Sequence, residues 1–286
     1  MTAPAGALAR LSFNHATARH WPLPELVAGC RVAGVPAIGL WREQVAAHGL
    51  AATAALVRGS GLAVSSLCRG GFFRQPGWFD ENRRAIDEAA ALATPELAEP
   101  VLVLVSGGLP DGSRDLAGAR ARVGEAVGAL VPHARAAGVR LAIEPLHPMY
   151  AADRCVVSTL DQALALAAPH PAAAVGVVVD SYHLWWDDRV WDGIARAGRA
   201  GRIAGCQVAD WVTPLPAGGL LGRGLPGEGC VDLRRFVAAV TGAGYRGPVE
   251  VEVFCEELWS RPGPEILAAT VRAFLAHVAE PPVAGS

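Results

Sequence analysis

The chain has 286 residues and a formal net charge of −2, from 25 Lys and Arg against 27 Asp and Glu. Its arginines are scattered and form no basic block, so the charge pattern offers no footprint for nucleic acid or an anionic membrane. The six cysteines (Cys30, Cys68, Cys155, Cys206, Cys230, Cys255) lie far apart without a Cys-x-x-Cys, which indicates neither a zinc knuckle nor a disulfide framework; they read as reduced, mostly buried apolar residues.

The N-terminal stretch MTAPAGALARLSF has no basic n-region and no sustained apolar segment, and no apolar run approaches the roughly 18 residues of a membrane span. These features predict a soluble, cytoplasmic protein that works on a small molecule, with no nucleic-acid or membrane partner. A homo-oligomer is compatible with the sequence.

From the N-terminus onward, short apolar runs alternate with Ala- and Leu-rich helical stretches. The runs are ARLSFN, VPAIGLW, LAVSSLC, PVLVLVSG, VRLAIEP, VGVVVDS, RIAGCQVAD and PVEVEVF. Helices are predicted between and after them at 22–33, 43–58, 80–98, 114–137, 158–168, 188–200, 231–243 and 263–279. Eight strands, each followed by a helix, describe a closed α/β barrel, the (β/α)8 TIM barrel, which needs about 250 residues. Ser158-Thr159 and Asp232 are placed to cap helix starts, and Gly138 and Gly244 to follow helix ends. Residues 1–286 read as a single TIM-barrel domain, with about 280–286 (EPPVAGS) a frayed tail.

Four polar side chains sit at the tips of the last four strands: Glu144, Asp180, Gln207 and Glu252. A buried anionic residue is expensive unless a cation or a hydrogen-bond network compensates it. In such barrels the C-terminal strand ends carry the chemistry. Side-chain alternation puts Ala142 with Glu144, and Val178 with Asp180, on the inner face. The four oxygen-bearing groups would then converge on one divalent ion. Hard oxygen donors favour Mn2+ or Mg2+, with Co2+ and Zn2+ able to bind. The competing interpretation makes Glu144 and Glu252 salt-bridged barrel residues, with Arg140, Arg246 or Arg223 as partners. Glu250 shares the parity of Glu252 but lies deeper, and is assigned to the core.

Around this set, His183 leaves strand six three residues after Asp180, placed to meet a substrate hydroxyl or give a proton. His147 and His15 are further candidates at the mouth, as are Trp41 and Trp185, whose rings can stack on a sugar or exclude water. Arg223 opens the turn RGLPGEG and can clamp a polyol or carboxylate. No second basic cluster is visible, which favours an unphosphorylated substrate.

The motifs IEP with Glu144, VVDSYH with Asp180 and His183, QVAD with Gln207, RGLPGEG with Arg223 and VEVF with Glu252 resemble the xylose-isomerase-like TIM-barrel superfamily over essentially the whole chain. That superfamily includes ketose 3-epimerases, inosose isomerases and dehydratases, and hydroxypyruvate isomerase. The resemblance implies that Glu144, Asp180, Gln207 and Glu252 are metal ligands and that His183 and Arg223 bind substrate. Many members carry His at the Gln207 position; Gln is a variant found in 3-dehydroshikimate dehydratases of the same superfamily. The expected activity is a metal-dependent sugar or polyol isomerase or epimerase working through an enediolate, with Glu144 and Glu252 moving the proton and His183 assisting. A dehydratase or other lyase, and a non-catalytic barrel subunit, remain alternatives.

Overall fold

The computed structural model describes residues 6–97, 99–216 and 219–279. Eight parallel strands close into a barrel in strict chain order: β1 (Leu11–Asn14), β2 (Ala37–Trp41), β3 (Ala63–Gly71), β4 (Val101–Val105), β5 (Arg140–Ile143), β6 (Val175–Asp180), β7 (Ile203–Val208) and β8 (Val249–Val251). Closure is made by β8 against β1, in register at Leu11 and Val249. Main helices pack outside the strands, so each strand is buried on both faces, which explains continuously apolar runs such as VLVLV in β4.

Two apolar clusters divide the interior. The larger one lies between strands and helices; the smaller one fills the barrel with Cys68, Val101, Val103, Ala142, Val178 and Ala204. Ala142 and Val178 are thus on the inner face, as alternation predicts. Around Glu250 the filling turns polar: Ser12, Asn14, Ser65, Ser66, Gln207 and Glu250 are all buried.

Helix ends follow the local chemistry. Thr159 accepts from the Gln162 N–H and Asp232 from the Arg235 N–H, while Gly138 and Gly244 adopt positive φ just past their helices. The expected helix 43–58 is two helices, Arg42–His48 and Leu50–Ser60, broken at Gly49, whose φ of 92° no helix accommodates. The helix expected at 80–98 is Trp78–Ala91. The seventh run also divides: β7 ends at Val208, and Asp210–Trp211 instead pairs antiparallel with Arg223–Gly224 above the barrel. The 280–286 tail lies outside the described residues. Among the described residues, no helix is long and apolar enough to cross a membrane.

Gly39 in β2 shows how tightly the polar layer is packed. A Cβ there would lie 2.5 Å from Glu250 Cδ and 2.7 Å from Asn14 Nδ2. Gly39→Ala should therefore destabilise the barrel by about 1–3 kcal/mol, the usual cost of overpacking, read as a lower denaturant midpoint at unchanged slope.

Candidate active site

Glu144 and Glu252 each follow the last residue of a short strand, and their backbone N–H groups still bond to the neighbouring strand, at Leu104 O and Val208 O. This keeps them on the inner face at the mouth. Asp180 ends β6 and caps the short helix Ser181–Leu184: its Oδ1 accepts from the Tyr182 N–H at 2.8 Å, which frees Oδ2 to face the site. Gln207 is in register with Asp180 on one side and Glu250 on the other.

Glu250 is the anchor beneath. Its carboxylate accepts from Asn14 Nδ2 (2.6 Å), Gln207 Nε2 (2.9 Å), the Ser66 hydroxyl (2.9 Å) and the Ser65 hydroxyl. Because a carboxylate needs a donor, Gln207 is oriented with its nitrogen towards Glu250. Gln207 Oε1 is left buried without a hydrogen-bond partner, which is costly for a carbonyl oxygen unless something else occupies that direction.

Above this layer, Glu252 Oε1 accepts from Asn14 Nδ2 (3.1 Å) and Trp41 Nε1 (3.2 Å), and Oε2 from Arg223 Nη1 (2.9 Å). The same Nη1 lies 3.5 Å from Asp180 Oδ2. The guanidinium is held between the rings of Tyr182 and Phe254, at 4.7 and 4.8 Å from their centroids. Arg223 is thus the partner that the salt-bridge interpretation required, whereas Arg140 pairs with Glu99 and Arg246 donates to backbone carbonyls. One guanidinium does not balance the group, because Glu144, Asp180 and Glu252 are all buried around it and Glu250 lies below.

The imbalance appears in the acidities. Burial, with the neighbouring Asp180 and Glu252 carboxylates, holds Glu144 well above the usual carboxylate range. Burial raises Asp180 to about 6 and Glu252 to about 7, in each case against the opposing pull of Arg223. An excess of buried anionic oxygens is what a divalent cation relieves.

His183 is buried, and burial followed by the Arg223 charge keeps its ring neutral. Its Nδ1 accepts from the His147 backbone N–H at 3.2 Å, so Nε2 carries the proton. That nitrogen lies 3.2 Å from Arg223 Nη2 and 3.8 Å from Asp180 Oδ2. Two donors face each other there, and both can serve a ligand oxygen. One ligand atom from each of Glu144, Asp180 and His183 lies within 4.8 Å of the others.

The mouth is a cavity of about 120 Å³ lined by Trp41, Glu144, His183, Arg223 and Glu252, with Phe72 and Phe254 on its walls. Three expected mouth residues lie outside this lining. His15 Nε2 is tied to the Trp21 carbonyl at 2.9 Å in the turn after β1. The His147 ring packs on Trp186 and Trp211, so His147 serves the site through its backbone. Trp185 stacks on Trp211 at 5.3 Å. In each case a nearby aromatic ring or backbone carbonyl captures the side chain.

The sequence reading missed Asn14, which bridges Glu250 and Glu252, and Asp210, which accepts from the Gly227 and Val231 N–H groups and so holds the RGLPGEG turn in place. Asp210 was visible as the last residue of QVAD. Asn14 carried no signal beyond its place at a strand end. Arg69 and Arg154 were also missed, and both line the cavity.

Eight parallel strands with a polar, acid-rich cluster at their C-terminal ends define a (β/α)8 barrel of the kind that places its chemistry in the loops after the strands. The chain belongs to the xylose isomerase-like TIM barrel family, whose sequence pattern matches residues 27–277. It is similar to the crystal structure of protein SMc04130 from Sinorhizobium meliloti 1021, with 44% identity, 96% of this chain and 100% of that chain covered, and a TM-score of 0.90. The fold also matches the IOLI protein solved with a bound zinc atom, at 20% identity and a TM-score of 0.77, covering 94% of this chain and 98% of that one. Among curated proteins, a 3-dehydroshikimate dehydratase of Pseudomonas aeruginosa PAO1 is 38% identical over 103 residues, which is 34% of this chain and only 16% of that relative's length.

Proposed function

We propose that this protein is a divalent-metal-dependent enzyme that removes a proton from the carbon beside the carbonyl of a polyhydroxy ketone, with isomerisation or epimerisation as the outcome. The observation that carries this reading is Gln207 Oε1, a buried oxygen without a partner, in register with Asp180 in a set of carboxylates that exceeds its one guanidinium. Glu144, Asp180, Gln207 and Glu252 would hold the ion, and their all-oxygen donor set suits Mn2+ or Mg2+. When bound, the ion supplies charge stabilisation for the oxyanion that develops as the proton leaves.

The remaining work falls to side chains already in place. Glu252 would move the proton, and Trp41 and Asn14 fix its orientation. Glu144 supplies the second carboxyl needed to return a proton to another carbon or the other face. His183 and Arg223 donate to substrate oxygens, and Trp41, Phe72 and Phe254 limit the water that reaches them.

A second outcome, loss of a β-hydroxyl to give a conjugated product, is favoured by the curated dehydratase relative. One experiment tests both. The protein is loaded with Mn2+ and incubated in deuterated buffer with ketoses, inososes and 3-dehydroshikimate. Deuterium entering the recovered substrate or its isomer supports the main reading; new ultraviolet absorbance supports the lyase. A preparation that takes up no metal and exchanges no proton would overturn both and leave a non-catalytic barrel.

Proton competition gives a further expectation. With Asp180 at about 6 and Glu252 at about 7, the ion-free fold holds more protons than the unfolded chain between about pH 4 and 7, so its stability falls as pH rises through that window. Ion binding requires the deprotonated carboxylates and runs the other way. The rise in melting temperature on adding Mn2+ should therefore be greatest above about pH 7.5 and shrink as pH falls towards about 5.5. Melting curves with and without the ion across that range check it.

A further inference from the structure

The cavity has an acidic floor and a basic rim. On the rim stand Arg69, near the end of β3, and Arg154, in the loop after β5, 85 positions apart in the sequence but lining one space with Glu144 and Glu252. Among the described residues neither forms an ion pair with a floor carboxylate, whereas Arg223 pairs with Asp180 and Glu252.

Arg69 is half-buried, and among the described residues no carboxylate lies within 4.0 Å of its guanidinium. Its Cζ sits over the Phe72 ring, 4.0 Å from the ring centre. The local backbone enforces this. Phe72 adopts a φ of 50°, a conformation uncommon for a bulky residue, and is kept there by its N–H bond to Val105 O (2.7 Å) and by the Phe73 N–H bond to Ser106 O (3.2 Å). The Phe72 ring, so placed, lines the cavity beside Arg69. Burial first, with smaller contributions from the Arg154 and Arg42 charges and against the attraction of Glu43, lowers the pKa of Arg69. Among the described residues, the one carboxylate within 4.0 Å of Arg154 is that of its exposed neighbour Asp153, at 3.9 Å.

We propose that Arg69 and Arg154 form an anion subsite that binds a carboxylate on the substrate, at the end remote from the carbon attacked by the floor acids. The proposal rests on this cavity being the substrate site, whichever outcome the chemistry has. A planar guanidinium edge matches a planar carboxylate through two parallel hydrogen bonds, and such charge-assisted pairs are strong when partly desolvated. A phosphate group could use the same charges, so the test must separate the two. The substrate class is then a polyhydroxylated keto acid, not a neutral sugar. Sequence reading could not see this, because one arginine near the end of a strand and another in a distant loop make no cluster until the barrel closes.

Calorimetric titration of the Mn2+-loaded protein with shikimate and quinate, their methyl esters, and ribose 5-phosphate tests the subsite. At least one acid should bind about tenfold or more tightly than its ester, an increment of about 1.4 kcal/mol. Arg69→Gln and Arg154→Gln should each bring that ratio towards one while leaving ester affinity unchanged. Arg154 is partly exposed and lies outside the strands, so its variant keeps the test valid even if Arg69→Gln folds poorly. Equal binding of acid and ester, no binding by either acid, a ratio that survives in Arg154→Gln, or preference for ribose 5-phosphate would overturn the proposal. Those results, obtained while metal uptake and proton exchange persist, would sink the subsite alone; loss of metal uptake and exchange would sink the functional reading.

Discussion

Glu252→Gln should abolish proton exchange at the substrate carbon, lowering the rate of deuterium incorporation by about 10²–10⁴-fold, the usual span for loss of a general base, and by more if the ion is also lost. The substitution is isosteric. Trp41 Nε1 and Asn14 Nδ2 both donate to Oε1, so an amide oxygen there keeps two bonds. The new NH2 group, however, would face Arg223 Nη1, a donor opposite a donor. The fold should persist, since Glu250 and its serine and amide partners form the layer beneath independently of Glu252. A folded variant that exchanges deuterium at the wild-type rate would remove Glu252 from the chemistry and leave Glu144 as the base.

Arg223→Leu should have the largest effect on stability. The arginine is the only cation paired with Asp180 and Glu252 among the described residues, and all three are buried. Removing one partner from a buried pair costs about 3–5 kcal/mol, because a charge stays behind in low dielectric. The loss should depend on both pH and metal. Near pH 8 the carboxylates remain ionised and repel, so the penalty is full; near pH 5 they take up protons, and much of it disappears. Saturating Mn2+ should restore most of the lost melting temperature at the higher pH, since the ion takes over the neutralising role. Denaturant unfolding of wild type and variant at both pH values, with and without Mn2+, reads this out. A pH-independent loss without ion rescue would mean that Arg223 acts only by packing between Tyr182 and Phe254.

Much of the barrel was legible from the chain. Eight apolar runs separated by capped helical stretches give strand number, order and parallel direction, since consecutive βα units close in only one hand. Thr159, Asp232, Gly138 and Gly244 mark their boundaries by local bonding alone. The helix break at Gly49 was harder, because one glycine inside a helical pattern is tolerated at a cost of only about 1 kcal/mol.

The candidate site was legible where it depends on strand position. Glu144, Asp180, Gln207 and Glu252 stand at adjacent strand ends, and alternation fixes which face they share. Loop side chains follow no such rule. His15, His147 and Trp185 sit near the mouth in sequence, yet a carbonyl or a neighbouring ring takes each of them.

By itself, then, the sequence determined the barrel, the floor of acids at its C-terminal end and the deeper role of Glu250, because periodicity and strand order are local properties summed along the chain. Only the tertiary structure decided what faces that floor: that Arg223 lies between Asp180 and Glu252, that Gln207 keeps an unpaired oxygen, and that Arg69 and Arg154 meet across one cavity. Those facts depend on pairs of loops far apart in sequence, and closure of the barrel is what brings their charges within reach of one another.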